Sequence, residues 1–243
     1  MTRARAGQQG MAVVSALIVV AIVAALTSGL FLRQASAIRQ VENEQARVQA
    51  RWLLLGGIDW ARLILRDNAR QEATVRRGQL WSTPVLDTRI DGGDGAAAAV
   101  FSGGIQDEQG KYNLYNLARH GLVDDTQVEV LARLLASLGL PDALAPQLAD
   151  QVALTQGRLP EEAQPPGGTA AGARAPQPRG IDDLAALLGV DAAGLQAMRR
   201  TMTLLPEPSL VNVNTAEPEV IAALVPGLSL AQARAVAGDR DRG

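Results

Sequence analysis

The strongest constraint on this chain of 243 residues is an uncharged, apolar run near its N-terminus. The run covers the 22 residues from Met11 to Leu32, and a polar segment that contains Arg3 and Arg5 precedes it. As an α-helix it would be about 33 Å long, which is enough to cross a hydrocarbon core of about 30 Å. The sequence therefore predicts one transmembrane helix over residues 11–32, followed by a large region outside the membrane.

The residues around this run leave three interpretations open. A cleaved secretory signal normally has a shorter apolar core, of about 7–15 residues, with its cleavage site after the core. A plain membrane anchor needs no cleavage. In the third interpretation the chain is cut on the cytoplasmic side, directly after Gly10, where the apolar run begins. Arg3 and Arg5 favour a cytoplasmic N-terminus, although Arg33 and Arg39 on the far side weaken the charge asymmetry.

The segment from Gln8 to Leu17, QQGMAVVSAL, resembles the processing site of type IV prepilins and of type II secretion pseudopilins. The resemblance implies that residues 1–10 are a leader and that a prepilin peptidase, a membrane aspartyl protease, cuts between Gly10 and Met11. It also implies that the new N-terminal amine, on Met11, becomes methylated.

The fifth residue of that mature chain would be Ser15, where most members of the pilin class have a glutamate. In that class the carboxylate can pair with the free amine of a neighbouring subunit inside the membrane. A carboxylate in hydrocarbon is costly unless it is paired, so a subunit without a neighbour above it gains nothing from this glutamate. Ser15 therefore fits a tip-type position. Lack of the glutamate is a feature of the K-type minor pseudopilins of type II secretion, the GspK family.

An amphipathic pattern continues beyond the apolar run. It predicts one helix from about Met11 to about Asn68, with a transmembrane half (11–32) and a periplasmic half assigned to residues 33–77. We expect the apolar run and the stripe that follows it to pack against helices of partner subunits. The stripe has helical spacing on one face and consists of Ile38, Val41, Val48, Trp52 and Leu55.

Residues 78–116 form a pilin-like β region in this interpretation. Val100-Phe101 and Ile105 indicate strands, and residues 91–95, DGGDG, are a turn cluster. Asp87, Asp91 and Asp94 near this turn could supply oxygen ligands to calcium, but they lack the spacing of an EF-hand. They are weak candidates, so no metal is assigned, and calcium is an expectation from the family resemblance alone.

The residues from Ile105 to Leu117, IQDEQGKYNLYNL, resemble a segment of K-type pseudopilins in which a D-x-x-G turn leads through N-L-x-N-L into an inserted helical domain. The side chains of Asn113 and Asn116 can cap the helix that follows. The resemblance places the inserted α-helical domain at residues 117–243.

The pattern within residues 117–243 is mainly helical, and Asp124 or Asp125 is the predicted cap of the first helix. A stretch rich in proline, glycine and alanine, residues 159–180, cannot form a core and predicts a flexible loop. The predicted elements are helices at Asp124–Leu138, Asp142–Leu154, Ile181–Leu188 and Ala192–Arg199, and a strand at Thr201–Leu205.

The last motif is N-V-N-T-A at residues 212–216, followed by two short predicted helices in a helix-hairpin-helix pattern. Thr215 is the predicted N-cap of the first helix, with Pro218 in its first turn. ComEA-type DNA uptake proteins and K-type pseudopilins both carry this motif before such a hairpin. Ser229 stands where a DNA-binding hairpin usually has a glycine whose N–H meets a phosphate. A membrane-anchored periplasmic DNA-binding or uptake protein is therefore the alternative function.

Composition argues against an enzyme and against a nucleic-acid partner. The chain has no cysteine and one histidine, His120, so thiolate chemistry and paired-histidine zinc motifs are excluded. We interpret His120 as the end of a helix that Gly121 caps. Lys111 is the only lysine and the formal net charge is −2, so the basic surface typical of nucleic-acid-binding proteins is absent from the sequence.

Together these features predict an α+β protein: a pilin-like long N-terminal helix packed on a small antiparallel sheet, with a large inserted all-α domain. We interpret it as a structural minor pseudopilin that spans the bacterial inner membrane once, with a cytoplasmic N-terminus and a periplasmic C-terminal domain. The resemblance implies that it caps the tip of the type II secretion pseudopilus and helps to initiate assembly for protein export across the outer membrane.

The resemblance implies three kinds of partner: the I- and J-type minor pseudopilins, the prepilin peptidase and the inner-membrane assembly platform. A pilin sheet should be completed after its helical insertion, and no strand-like run follows the hairpin at the end of this sequence. The sequence is therefore expected to be a C-terminal truncation of a longer protein.

Overall fold

One long helix forms the N-terminal part of the chain in the computed structural model, which describes residues 6–90, 99–157 and 172–242. The helix α1 spans Ala6–Gln71, so it begins before and ends shortly after the predicted limits of Met11 and Asn68. The chain divides into two compact units, Met1–Arg62 and Leu63–Gly243. The first unit is helical throughout its described part, whereas the second contains all the described strands and the buried core.

A two-stranded antiparallel sheet follows α1 in the second unit. It consists of β1 (Val85–Ile90) and β2 (Ala99–Gly103), with Thr88 opposite Phe101 and a register shift between Val85 and Thr88. Asp87 lies at this irregularity with a φ of 48°, a left-handed conformation that aspartate tolerates better than most residues. The strand predicted at Val100-Phe101 is confirmed. Ile105 lies outside both strands.

The entry into the helical region is built from short turns and strands. A 3-10 turn at Glu108–Gly110 precedes β3 (Tyr112–Asn113), and a second 3-10 turn covers Leu114–Leu117. The strand β3 pairs in parallel with β6 (Met202–Thr203), which lies inside the predicted strand at Thr201–Leu205. This long-range pair joins the beginning of the helical region to its later part.

His120 lies in a β-turn, so the prediction of a helix end is wrong. The turn connects β4 (Ala118–Arg119) with β5 (Leu122–Val123), which pair antiparallel. His120 and Gly121 both have positive φ, at 53° and 75°. A two-residue hairpin turn of type I′ has positive φ at both central positions, and Gly121 supplies the permissive one. The glycine was thus a turn residue rather than a helix cap.

The predicted helices of this region are present with small changes at their ends. Asp124 caps the first as predicted, because its carboxylate accepts a hydrogen bond from the amide of Gln127 at 3.2 Å. Residues 159–171 of the predicted loop lie outside the described residues, and residues 172–180 form no helix or strand. The helices are α2 (Asp125–Ser137), α3 (Leu144–Thr155), α4 (Ile181–Leu187), α5 (Ala192–Thr201), α6 (Pro218–Leu224) and α7 (Leu230–Arg240).

The core lies among these helices and the turn that leads into them. The helix α2 packs against α3 and α6, and α6 packs against α7. Leucine supplies most of the core volume, in keeping with a sequence of 3% aromatic residues. The largest fully buried side chains include Tyr112, Leu114, Leu117, Leu131, Leu134, Leu135, Leu148, Leu184, Met198 and Met202. The predicted α+β class, with a long N-terminal helix and a helix-rich second part, is confirmed.

Candidate functional site

The N-terminal half of α1 exposes its apolar side chains. Every large apolar side chain that the structure describes between Met11 and Phe31 is more than half exposed. The helix is long and apolar enough to cross a membrane, and none of its most apolar 18-residue window is buried. An exposed apolar surface of this length is unfavourable in water and marks contact with lipid or with other proteins.

The predicted stripe beyond the apolar run is exposed as well. Its five side chains, Ile38, Val41, Val48, Trp52 and Leu55, are between 42% and 69% exposed. Tryptophan is mostly buried in folded proteins, so a Trp52 that is 69% exposed on a helix with other apolar residues is unusual. The helix therefore carries a second apolar surface outside the membrane run.

The bond predicted for processing, between Gly10 and Met11, lies within α1, and Ser15 lies one turn further on the same helix. Met11 is 77% exposed. These positions are compatible with either an anchor or a processed N-terminus, so the predicted cleavage and methylation sites stay predictions.

Two segments noted in the sequence meet in the second unit. One is the D-x-x-G turn and the other is the N-V-N-T-A segment, which begins 105 residues later. The carboxylate of Asp107 connects them: its Oδ1 accepts from the amide of Gln109 at 3.0 Å and so holds the turn. Its Oδ2 accepts from Asn212 Nδ2 at 2.9 Å and from Thr215 Oγ1 at 2.6 Å. A single carboxylate thus satisfies donors from both motifs.

Asn212 extends this connection to the chain that follows α1. Its side-chain amide also donates to the carbonyl oxygen of Val75 at 3.0 Å, and its backbone amide donates to Gln109 at 2.8 Å. Its side-chain oxygen accepts from the amide of Asn214 at 3.1 Å, which closes a local turn. Both polar atoms of the Asn212 side chain are therefore in use.

Two arginines hold the N-V-N-T-A segment from different elements. Arg77 donates from Nε and Nη2 to the carbonyl oxygen of Thr215, at 3.0 and 2.7 Å, and pairs with Glu217 at 2.9 Å. Arg240 of α7 donates from Nη1 to the carbonyl oxygens of Val213 and Ala216, both at 2.8 Å. We call Arg77, Asp107, Asn212, Thr215 and Arg240 the junction clasp.

Comparison with known proteins decides the family. Family models described as "Type II secretion system (T2SS), protein K" match residues 110–207 and 211–243. A protein of Pseudomonas aeruginosa strain PAO1 named Type II secretion system protein K is 32% identical over 234 residues, which cover 90% of this chain and 69% of that protein. The chain belongs to the type II secretion system protein K family.

Other relatives agree. A protein K from Klebsiella pneumoniae is 29% identical over 249 residues, covering 93% of this chain and 73% of that protein. The crystal structure of the GspK-GspI-GspJ complex from the type 2 secretion system of enterotoxigenic Escherichia coli contains a chain with the same fold. That match has a TM-score of 0.56 at 20% identity and covers 76% of this chain and 69% of that chain.

Family membership supports the interpretation of the apolar helix as a membrane anchor. A secretion-system protein K with an exposed N-terminal helix of this length is anchored in a membrane, as the apolar run predicted. The same membership is consistent with the prediction of a structural role rather than an enzymatic one. The matched ranges contain Gly110 of the D-x-x-G turn and the whole N-V-N-T-A segment, so both segments belong to the part of this protein K that carries the family signal.

The hairpin of this protein K is capped differently from the prediction. The residue before α6 is Glu217, which makes no side-chain cap, and Thr215 is wrong as the N-cap because its hydroxyl donates to Asp107 instead. Pro218 is the first residue of α6, as predicted for the first turn. The threonine is thus a long-range contact rather than a local one.

The turn of the hairpin disfavours a phosphate contact. Ser229 and Gln232 form a reciprocal capping box at the start of α7, in which the amide of Ser229 donates to Gln232 Oε1 at 2.9 Å. A DNA-binding hairpin would offer that N–H to a phosphate. Arg240 is bound to backbone carbonyls, and Arg242 pairs with Asp239. The alternative of a DNA uptake protein therefore gains no support from this hairpin or from the family.

The calcium candidates are not brought together in the described residues. Asp91 and Asp94 lie outside them, and the amide of Asp87 donates to Ser102 Oγ at 3.0 Å. Within residues 6–90, 99–157 and 172–242 no group of three or more acidic, histidine or cysteine side chains is arranged to hold a metal. Calcium stays a prediction from the family resemblance.

Buried asparagines organise the turn that enters the helical region. Asn113 is fully buried, and its side chain accepts from the amides of Tyr115 and Leu205, both at 3.1 Å, and donates to Glu207 and Ser209. It caps the 3-10 turn, so its predicted capping role is confirmed there. Asn116 is wrong as a helix cap, since its side chain bonds the backbone of Ser209 instead.

Two ionisable groups have shifted pKa values in this region. Burial, with a further contribution from the nearby Asp124 carboxylate, raises the pKa of the Tyr112 hydroxyl, which donates to Gln127. A hydrogen bond from Arg240 holds the pKa of Asp241 below its usual value. Burial, a neighbouring carboxylate and a hydrogen bond account for the two shifts.

The sequence does not predict the contacts that Arg77 and Arg240 make with the N-V-N-T-A segment. Neither stands in a motif, and their acceptors are backbone carbonyls of residues far along the chain. Asp107 and Thr215 were noted as parts of separate segments, but no local pattern links residues 108 positions apart. The clasp is therefore a finding of the structure.

Replacement of Gly110 by alanine tests how tightly the D-x-x-G turn and the N-V-N-T-A segment pack. A Cβ at Gly110 would lie 2.7 Å from Thr215 Oγ1 and 3.0 Å from the backbone carbon of Thr215. We expect Gly110→Ala to lower the free energy of unfolding by about 1–3 kcal/mol through overpacking. Thermal unfolding in detergent, followed by circular dichroism, measures this. At Gly104 a Cβ meets only Pro84, at an ordinary 3.7 Å, so Gly104→Ala is the control and an equal loss there would contradict the argument.

Proposed function

We propose that this protein K is a minor pseudopilin that sits at the tip of the type II secretion pseudopilus and helps to initiate its assembly. In this proposal α1 spans the bacterial inner membrane once, with its N-terminus in the cytoplasm and the second unit in the periplasm. The observation that carries the proposal is the exposed apolar length of α1 in a chain of the protein K family. A helix with two successive apolar surfaces suits a subunit that is held first by lipid and then by other helices.

The exposed stripe supplies the partner surface in this proposal. Ile38, Val41 and Trp52 lie on it beyond the membrane run, where water would otherwise surround them. The related Escherichia coli protein is found in a complex with GspI and GspJ. By analogy, we assign the stripe of this chain to contacts with I- and J-type minor pseudopilins, and we name the inner-membrane assembly platform as a further partner.

Processing of the N-terminus completes the proposal. Gly10 directly precedes the apolar run, and cleavage after it removes Arg3 and Arg5, the two charges that flank the run on that side. A prepilin peptidase would leave Met11 as the first residue, with a methylated amine. Loss of the two charges allows the new N-terminus to move into the membrane with a growing filament, which an intact leader would oppose.

Mass spectrometry of the purified protein tests this proposal. We expect co-expression with the cognate prepilin peptidase to yield a chain that begins at Met11 and carries an N-methyl group. Expression without the peptidase should leave Met1 or the following residue as the N-terminus. The matched pair Gly10→Ala and Gly7→Ala separates the glycine of the cleavage site from another glycine in the leader: only Gly10→Ala should block processing.

Other outcomes would contradict the proposal in distinct ways. An intact leader in the presence of active peptidase would return α1 to the interpretation of a plain anchor. A chain that begins after Leu32 would identify the run as a cleaved secretory signal and would remove the membrane anchor altogether.

A further inference from the structure

The N-V-N-T-A segment touches three parts of the second unit that are far apart in sequence. The D-x-x-G turn reaches it through Asp107, the chain after α1 reaches it through Val75 and Arg77, and α7 reaches it through Arg240. None of these contacts is explained by membrane anchoring or by the exposed stripe of α1. We infer that the junction clasp couples residues 72–79, the chain segment after α1, to helix α7, so that weakening the contact at one of them loosens the other.

The two arginines provide the coupling because they bind neighbouring carbonyl oxygens of the same short segment. Arg240 binds the carbonyl oxygens of Val213 and Ala216, and Arg77 binds that of Thr215, which lies between them. The Arg240 side chain is 13% exposed and the Arg77 side chain is 39% exposed, so Arg240 is better shielded from water than Arg77. Hydrogen bonds from a charged donor are stronger than neutral ones, especially where water is excluded. Displacement of one arginine therefore moves the acceptor of the other.

The segment after α1 also has local hydrogen bonds of its own. Gln79, which is 8% exposed, binds it locally: its side-chain oxygen accepts from the amide of Arg76 at 3.1 Å, and its side-chain nitrogen donates to Thr74 at 2.9 Å. The amide of Gly78 donates to Ser82 Oγ at 3.1 Å. These bonds lie within the segment itself and do not tie it to the helical region. Among the hydrogen bonds of the described residues, those of Val75 and Arg77 tie the segment to the N-V-N-T-A segment.

Asp107 and Thr215 fix the position of the shared segment. The hydroxyl of Thr215 donates to Asp107 at 2.6 Å, and Thr215 itself is 7% exposed. Gly110 allows the turn to approach Thr215 more closely than any side chain would permit. The segment is thus held on one side by the D-x-x-G turn, while Arg240 links it to α7 and Arg77 and Asn212 link it to the chain after α1.

Hydrogen–deuterium exchange of the full chain in detergent micelles tests the coupling. Lysine is shorter than arginine and lacks the Nε that donates to Asp241, so Arg240→Lys weakens the clasp at α7 without removing the charge. We expect the amides of Arg76 and Gly78 to exchange about five- to tenfold faster in Arg240→Lys, although Arg240 touches neither residue. Exchange within α2 should stay unchanged.

Two comparisons keep the test decisive. Arg234→Lys, an exposed arginine on the same helix, should leave the exchange of Arg76 and Gly78 as in the unchanged chain. Asn212→Ala, which removes the bond to Val75 directly, should accelerate the same amides, whereas Asn214→Ala should not. If Arg240→Lys alters exchange only within α7, or raises it uniformly through α2 and α3, the coupling is wrong. The readout does not depend on processing or on the tip position, so it can fail while the proposed function stands.

Discussion

Asn113→Ala is expected to lower the free energy of unfolding of this protein K by about 3–5 kcal/mol. The side chain is fully buried and makes four hydrogen bonds, two as acceptor and two as donor. Its loss leaves the partly buried amides of Tyr115 and Leu205 without their acceptor. An unsatisfied buried group costs about 1–3 kcal/mol, and water entering the space left behind recovers part of this.

Thermal unfolding of the full chain in detergent micelles measures the effect. A loss of this size corresponds to a fall in Tm of about 6–20 °C, because each kcal/mol is worth about 2–4 °C in a unit of this size. The control variants form a series: Asn116→Ala removes two bonds to Ser209 and should cost less, and Asn214→Ala should cost least. Equal losses in Asn113→Ala and Asn116→Ala would contradict the importance of the four-bonded arrangement.

The parts of the fold that the sequence predicted are those with a local signal. The helix α2 has its cap at Asp124 and its buried leucines at helical spacing, and both features lie within fifteen residues of each other. The apolar run has a length and a composition that few structures other than a membrane helix can satisfy. In these segments the local preference and the tertiary fold agree, so the sequence pattern alone was sufficient to predict the helices.

The wrong predictions share a physical cause. Thr215 has the side chain and the position of an N-cap, but an acceptor from another part of the chain, Asp107, takes its hydroxyl. Gly121 follows a helix-like run, yet His120 joins it in the left-handed region and the pair forms a hairpin turn. Asn116 was expected to cap locally and instead binds Ser209. In each case a partner distant in sequence, or a turn of two residues, outweighed a local preference.

The junction clasp could not be predicted from the sequence either, because it joins residues that are far apart in the chain. Its residues come from the chain after α1, the D-x-x-G turn, the N-V-N-T-A segment and α7. Family resemblance drew attention to two of these four parts, because they carry recognisable motifs. Arg77 and Arg240 carry none, since an arginine that binds backbone carbonyls needs only reach and charge and leaves no spacing to detect.

Ser15→Glu is expected to reduce type II secretion about tenfold in a strain that depends on this chain as its protein K. In the mature chain Ser15 lies about 6 Å along the helix from Met11, a depth at which the apolar run is already within the hydrocarbon. A carboxylate costs about 2.5–3.5 kcal/mol at the centre of a membrane helix and less near its end. A cost of about 1–1.5 kcal/mol at this depth changes an equilibrium about five- to tenfold.

Whether the carboxylate stays unpaired in the membrane depends on the subunit above it. Within a filament, the amine of the next subunit would neutralise the carboxylate, and the substitution would be tolerated or favourable. At the tip no such amine is present, so the glutamate stays unpaired or draws the subunit into a lower position where it cannot cap. Both consequences lower the number of tips that contain protein K. Secretion of a reporter substrate, together with co-purification of the I- and J-type subunits, measures this number.

Ser15→Gln is the matched control, because glutamine has the size of glutamate without its charge. It should secrete close to the level of the unchanged chain, and Ser15→Ala should do the same. If Ser15→Glu also secretes at that level, an amine must lie within reach of residue 15 in the assembled filament. The tip position would then be wrong, while membership of the family and the membrane anchor would stand, since neither depends on the neighbour of Ser15.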